Sequence, residues 1–352
     1  YTLPEQAYII LMVGAVVVVF LHNVPYKWFQ VFPVFLYPIS LVLLAFVTLM
    51  GIITGDRVNG AARWMTFMGL QFQPSELAKM AVIIAVSFIL SKRQDEEGAN
   101  PKAFKYIMIL TGLVLLLIAP ENLSTAMLLF GVVFMMMFIG RVAAKKLLLL
   151  AGGLVLIVAL GVGTVVAIPA KTLHNTPGLH RLETWQNRIK GFFDKDEVPA
   201  AKFDIDKDAQ IAHARIAIAT SHVVGKGPGN SIQRDFLSQA FSDFIFAIVI
   251  EEMGLIGGIF VVFLYLCLLM RAGRIAQKCE RTFPAFLVMG IALLLVSQAI
   301  LNMMVAVGLF PVTGQPLPLV SKGGTSTLIN CAYIGMILSV SRYTAHLEEQ
   351  KA

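Results

Sequence analysis

The sequence predicts an all-α polytopic membrane protein, and three observations carry that prediction. Hydrophobic residues make up 57% of the 352 and charged residues only 14%, where a soluble globule has about a quarter charged. The mean hydropathy is +0.78. Nine apolar runs approach the roughly 20 residues that a bilayer crossing needs, and lipid offers the backbone no outside partner, so each run is read as a helix.

In chain order the runs are 6–21, 32–53, 75–90, 104–119, 125–140, 147–168, 244–270, 283–310 and 325–341. One set of short loops carries Lys27, then Lys92, Arg93, Lys102 and Lys105, then Arg141, Lys145 and Lys146, then Arg271, Arg274, Lys278 and Arg281, and finally the tail. The opposite short loops carry only Arg57, Arg63 and Lys322. Positive residues gather in cytoplasmic loops, so the first set is cytoplasmic and the long loop 169–242, before the seventh span, is extracytoplasmic. The net charge of +7 is explained by the same loops facing the cytoplasm and anionic lipid; no nucleic-acid motif accompanies it. The whole of 1–352 is read as one membrane domain containing that loop. An odd number of spans with a cytoplasmic tail places Tyr1 outside, and the chain starts without Met, so a further helix upstream is expected. Cys267, Cys279 and Cys331 fall in spans or on the cytoplasmic side, where no disulfide framework is implied.

Within the long loop, Trp185, Ile189, Phe192 and Phe193 recur at helical spacing around Arg188 and Lys190, the pattern of an amphipathic helix lying on a membrane. Residues 209–224 form a second helical candidate. Gly225, Gly227 and Gly229 then allow a tight turn or a close backbone approach to a phosphate or sugar, and Ser231 and Gln233 next to them are expected to bind substrate. The turn lacks the Lys-Ser/Thr ending of a nucleotide loop, and Pro228 removes an amide, so a turn ending the preceding helix fits equally well.

Asp243 stands where this loop meets the apolar run from Phe244. A carboxylate at such a junction fits a helix cap and a base acting on a lipid-linked substrate alike. Glu251 and Glu252 lie deeper in the same run, Glu251 by roughly 12 Å, where carboxylates are costly; both are expected to be structural, paired with a lysine or arginine of another helix. Arg63 and Lys79 sit at outer ends of their helices and could meet an anionic headgroup, although Glu76, three residues before Lys79, also fits an intrahelical ion pair. In 311–326, repeated Pro and Gly, including Pro316, Pro318, Gly323 and Gly324, break helix at membrane depth and read as a re-entrant wall from which Lys322 could reach a phosphate. The six histidines are scattered with no metal-ligand spacing, and methionines 135–137 read as packing.

The blocks GKGPGNSIQ, SDFIFAIVIEEMG, NGAARW, QPSELAK, QAILNM and PVTGQPLPLVSKGGTS, taken together, resemble the signatures of the SEDS (shape, elongation, division and sporulation) family over essentially the whole chain. PVTG and GPGNS are more similar to its division members than to its elongation members. The resemblance implies ten transmembrane helices with the first absent here, a location in the bacterial cytoplasmic (inner) membrane, and glycosyltransferase activity at the extracytoplasmic face. The implied reaction polymerises lipid II, an undecaprenyl-pyrophosphoryl disaccharide-pentapeptide, into peptidoglycan for cell division. It places the family's essential aspartate on Asp243 and its positive residues on Arg63 and Lys79. It also implies a class B penicillin-binding protein (a transpeptidase) and other division proteins as partners. No cofactor is required because pyrophosphate is a stable leaving group; a divalent cation could assist, though the sequence shows no metal site. The chain departs from the family at Leu237–Asp243, where LPEAHTD is expected, at 121–125, where PDLGT is expected, and at Lys322, where a Tyr is expected. An elongation polymerase, a lipid II flippase and a non-catalytic division scaffold are the alternatives.

Overall fold

The structure, a computed structural model, describes residues 3–54, 65–67, 70–95, 98–167, 186, 208–237 and 241–351. The helices are α1 (Leu3–Asn23), the single turn α2 (Tyr26–Phe29), α3 (Phe32–Thr54), α4 (Pro74–Lys92), α5 (Pro101–Ile118), α6 (Leu123–Ile139), α7 (Ala144–Ala167), α8 (Asp208–Ala219), α9 (Ile245–Lys278), α10 (Thr282–Ala306) and α11 (Gly324–Lys351). Two short antiparallel hairpins, Met65–Phe67 with Leu70–Phe72 and Gln94–Asp95 with Gly98–Ala99, are the strands among the described residues. Seven helical segments there are long and apolar enough to cross a membrane, and two shorter apolar ones, Tyr8–Asn23 and Leu123–Ile139, coincide with the predicted runs 6–21 and 125–140.

Two compact units interleave along the sequence. One comprises Tyr1–Gly152, Cys267–Ser297 and Gly323–Ala352; the other comprises Gly153–Leu266 and Gln298–Lys322.

In the first unit α4 is enclosed, with Ala78, Ala81, Val82, Ile83, Ile84 and Val86 wholly buried. Pro74 opens it, where the missing amide costs nothing. Its first turns carry Glu76 and Lys79 into the interior as an ion pair of 2.8 Å. Side chains of α1 and α11 pack through small residues: a Cβ on Gly14 would lie 2.8 Å from Cys331 Sγ, and one on Gly335 would lie 2.8 Å from Leu21 Cβ. Helices in lipid associate by such close approach. Asn122 caps α6, its side-chain oxygen accepting from the Thr125 amide at 3.2 Å. The family's aspartate would cap there in the same way, so the departure at 122 leaves the helix start intact.

The second unit contains the loop side of the molecule, and here the structure corrects one expectation. The run 244–270 is not one continuous helix: Gly254, at φ 71° and ψ −172°, breaks α9 into a short outer half, 245–253, and a long inner half, 255–278. Cys279, just past the inner half and part of the first unit, hydrogen-bonds the Ile275 carbonyl, and burial raises its thiol pKa to about 11.

Candidate active site

A broken helix leaves the last carbonyls of one half and the first amides of the other without helical partners, and in a membrane water cannot supply them. Here the glycine loop does. The Lys226 and Gly227 amides donate to the carbonyls of Glu251 and Glu252 at 3.0 and 2.8 Å, and the Leu255 and Ile256 amides donate to the carbonyls of His222 and Val223 at 3.2 and 3.4 Å. Such contact requires glycine on both sides. Gly225 has φ 79°, and a Cβ there would sit 2.5 Å from the Glu252 carbonyl oxygen; a Cβ on Gly254 would sit 2.5 Å from the Val223 and Val224 carbonyl carbons. The glycines therefore serve an approach of backbone to backbone.

The Glu251 side chain completes the clasp. Its wholly buried carboxylate accepts from Lys226 Nζ at 2.6 Å, Ser231 Oγ at 2.5 Å, and the Ile232 and Gln233 amides at 3.2 and 3.3 Å. Ser231 Oγ in turn accepts from the Arg234 amide at 3.1 Å, fixing the start of the 3₁₀ turn Gln233–Phe236. Gln233 Oε1 lies 2.6 Å from His213 Nδ1 of α8, whose ring stacks on Phe236. The expected partner of Glu251 is thus a lysine, but one on the loop and not on another helix. Ser231 and Gln233, expected to bind substrate, here make bonds within the loop. Glu252 is half-buried, and its carbonyl serves the clasp.

Asp243 lies just before the outer half-helix. The carbonyl of Phe244 accepts from Ala247 and Ile248, at 3.0 and 3.3 Å, so the capping position belongs to Phe244, with Asp243 one residue outside it. The half-buried Asp243 accepts from Ser242 Oγ at 2.9 Å through Oδ1. The main chain around it is tied to the Pro/Gly-rich wall. Asn302 Nδ2 of α10 donates to the carbonyls of both Asp243 and Gln315, at 2.9 and 2.8 Å. Ser321 Oγ donates to the Ser242 carbonyl at 2.6 Å and accepts from the Leu317 amide at 2.7 Å, and the Lys322 amide donates to the Phe241 carbonyl at 2.8 Å. Gln298 holds the Pro316 carbonyl at 3.0 Å, and the Tyr265 hydroxyl donates to the Pro318 carbonyl.

The wall is thus anchored, and its exposed Lys322 is bonded through its backbone to the residues beside Asp243. Gly323 accepts the Thr327 amide at 2.9 Å, and Gly324 begins α11. Gln298 and Asn302 are the residues that sequence reading left without a role. Their signal was two amides one helical turn apart in an otherwise apolar span.

Lys79 is buried and paired with Glu76 in the other unit. Arg63, and all of the amphipathic segment 185–193 except Gln186, lie outside the described residues. An open groove of about 900 Å³ along α1, lined by Met12, Val16, Phe20 and Trp28 among others, has no titratable side chain and is no candidate for chemistry.

A family model described as cell cycle protein, and named for FtsW, RodA and SpoVE, matches residues 2–346. The chain is 34% identical over 343 residues to a probable peptidoglycan glycosyltransferase FtsW of Trichlorobacter lovleyi, covering 97% of this chain and 84% of that one. It is 35% identical over 322 residues to the protein of that name from a Geobacter species, covering 91% and 80%. Among solved structures it resembles a chain of a peptidoglycan synthase complex that coordinates polymerization and crosslinking, with TM-score 0.73, 25% identity, and coverage of 97% and 89%. The rod shape determining protein RodA of Thermus thermophilus shares the fold, with TM-score 0.64, 24% identity, and coverage of 96% and 87%.

Proposed function

We propose that this chain, which belongs to the FtsW, RodA and SpoVE family of cell cycle proteins, is a septal peptidoglycan glycosyltransferase that polymerises lipid II. The named relatives support the activity and favour the division role over elongation. The observation that carries the site is convergence: the wall 315–322 and Asn302 of α10 are both bonded to the main chain of residues 241–243. A carboxylate held this way at the head of a membrane half-helix is preorganised as a base.

Asp243 takes the proton of the acceptor's GlcNAc 4-hydroxyl as that oxygen bonds to C1 of the donor's MurNAc. The bond from C1 to the pyrophosphate breaks at the same centre, and the undecaprenyl pyrophosphate leaves as an anion. Lys322, exposed beside the same main chain, is suited to meet that charge, with Arg63 as a second cation. Lys79 reaches a pyrophosphate only by leaving Glu76, so its first role is the buried pair. Any divalent cation is assigned to the substrate pyrophosphate. The distribution of loop charges supports a site on the extracytoplasmic face of the cytoplasmic membrane. A class B transpeptidase is the proposed partner, a reading supported by the synthase-complex neighbour.

The test is Asp243→Asn in the purified protein with its transpeptidase, assayed on labelled lipid II. Loss of polymer is expected, and normal polymerisation would sink the assignment. Lipid scrambling in vesicles without polymer, by the unmodified protein, would favour a flippase instead.

A further inference from the structure

We propose that Glu251 is the positioning residue of the site: its clasp on the glycine loop sets where the outer half-helix holds Asp243. This inference rests on the reading of Asp243 as the base.

The geometry comes from the break. At Gly254 the helical hydrogen-bond ladder stops, so the half-helix 245–253 is not stiffened by the inner half below it. Besides the chain itself, the loop joins the halves through four backbone bonds across the break, while Asn302 and the wall tie the far end at 241–243. The Glu251 carboxylate adds four more acceptor contacts, spread from Lys226 to Gln233. Those contacts occupy both oxygens with a cation, a hydroxyl and two amides, so Glu251 is an anchor with no free position for a substrate proton.

The lever is long. Asp243 is eleven residues from Gly254, or about 16 Å along a helical rise, so a tilt of about 5° at the break moves Asp243 by roughly 1.4 Å. A displacement of about 1 Å at a reacting group can cost on the order of a hundredfold in rate. A clasp holding the half-helix against a tilt of this size is therefore a determinant of turnover, although it touches no substrate.

The experiment uses the full-length protein with its transpeptidase and follows lipid II polymerisation, thermal unfolding and amide exchange together. Lys226→Gln and Ser231→Ala each remove one clasp contact while leaving the buried carboxylate in place, and Glu251→Gln removes its charge. The expected result is a fall in kcat of about tenfold for the single-contact variants and up to about a hundredfold for Glu251→Gln. KM should stay within about twofold, the Ile232 and Gln233 amides should exchange faster, and Lys226→Arg should recover most of the loss. If Glu251→Gln does not fold, the two single-contact variants decide alone. Faster exchange with wild-type kcat overturns the inference. A raised KM at unchanged kcat overturns it too, because Lys226 and Ser231 would then be substrate contacts. Asp243→Asn separates the two claims. Retained activity there removes the base and this inference with it, whereas a dead Asp243→Asn beside fully active clasp variants removes the inference alone.

Discussion

Replacing Gly225 by alanine tests the clasp as a piece of backbone architecture, independently of any assumption about chemistry. Gly225 adopts φ 79°, and the added Cβ would meet the Gly254 amide and the Glu252 carbonyl, all of them backbone atoms that cannot swing aside. Holding a non-glycine residue in this conformation costs about 1–3 kcal/mol. Relieving the clash requires the loop and the helix break to part, which lengthens the 3.0 Å bond from Lys226 to Glu251 and the 2.8 Å bond from Gly227 to Glu252 beyond useful range. Each lost bond adds about 1 kcal/mol, so the total is about 3–5 kcal/mol, a large part of the roughly 5–15 kcal/mol that holds a folded protein together.

Gly229→Ala is the internal control, because Gly229 has φ 82° but nothing within 4 Å of its added Cβ. It carries the conformational cost alone. Thermal unfolding in detergent, read beside amide exchange over 222–233, should show Gly225→Ala markedly less stable than Gly229→Ala, with faster exchange at Lys226 and Gly227 in the former only. Equal destabilisation by the two variants would mean that torsional strain is the whole effect, and that the loop does not splice the broken helix.

Two further outcomes follow from the same reasoning. Lys79→Met takes the cation away from a Glu76 carboxylate that is at most 3% exposed, so it should cost about 3–5 kcal/mol, while adding Glu76→Gln to it should recover part of that loss; a double variant whose loss equals the sum of the two single losses in thermal unfolding would remove the pair. In segment 185–193, the joint substitution of Trp185 and Phe193 by Ala should lower transpeptidase-stimulated polymerisation without changing membrane insertion. Unchanged stimulation would take that segment out of the path by which the partner acts.

What the sequence made legible is what depends on local composition. The apolar runs are helices, because any apolar stretch in lipid must bond its backbone internally, and α8 overlaps the 209–224 candidate for the ordinary reason of helical pattern. The Pro/Gly wall was legible as non-helical backbone in need of shielding; which groups shield it was not. Gln298 and Asn302 find carbonyls at 316, 315 and 243 only after the chain has returned on itself. The break at Gly254 was hidden for the same reason. Glycine is common in membrane helices, and nothing within 245–270 distinguishes Gly254 from Gly257 or Gly258, which remain helical. The deciding partner lies some 30 residues upstream, in the loop whose glycines by spacing fit a turn or a phosphate approach alike.

That dependence explains why the break and the loop behave as one unit. A glycine at 254 permits a broken helix, but a break at membrane depth without the loop would strand two carbonyls, two amides and the Glu251 carboxylate, each unsatisfied backbone group costing several kcal/mol in lipid. Equally, the loop backbone from His222 to Gly227 finds hydrogen-bond partners in the break and has no helix or strand of its own to supply them. Neither piece is stable alone, so they must order together. The position of Asp243, at the far end of the half-helix, is then fixed by a long-range pairing and not by the apolar run that announces the span. A change in the loop 222–233 can therefore reach the carboxylate through Glu251 without moving the inner half of α9.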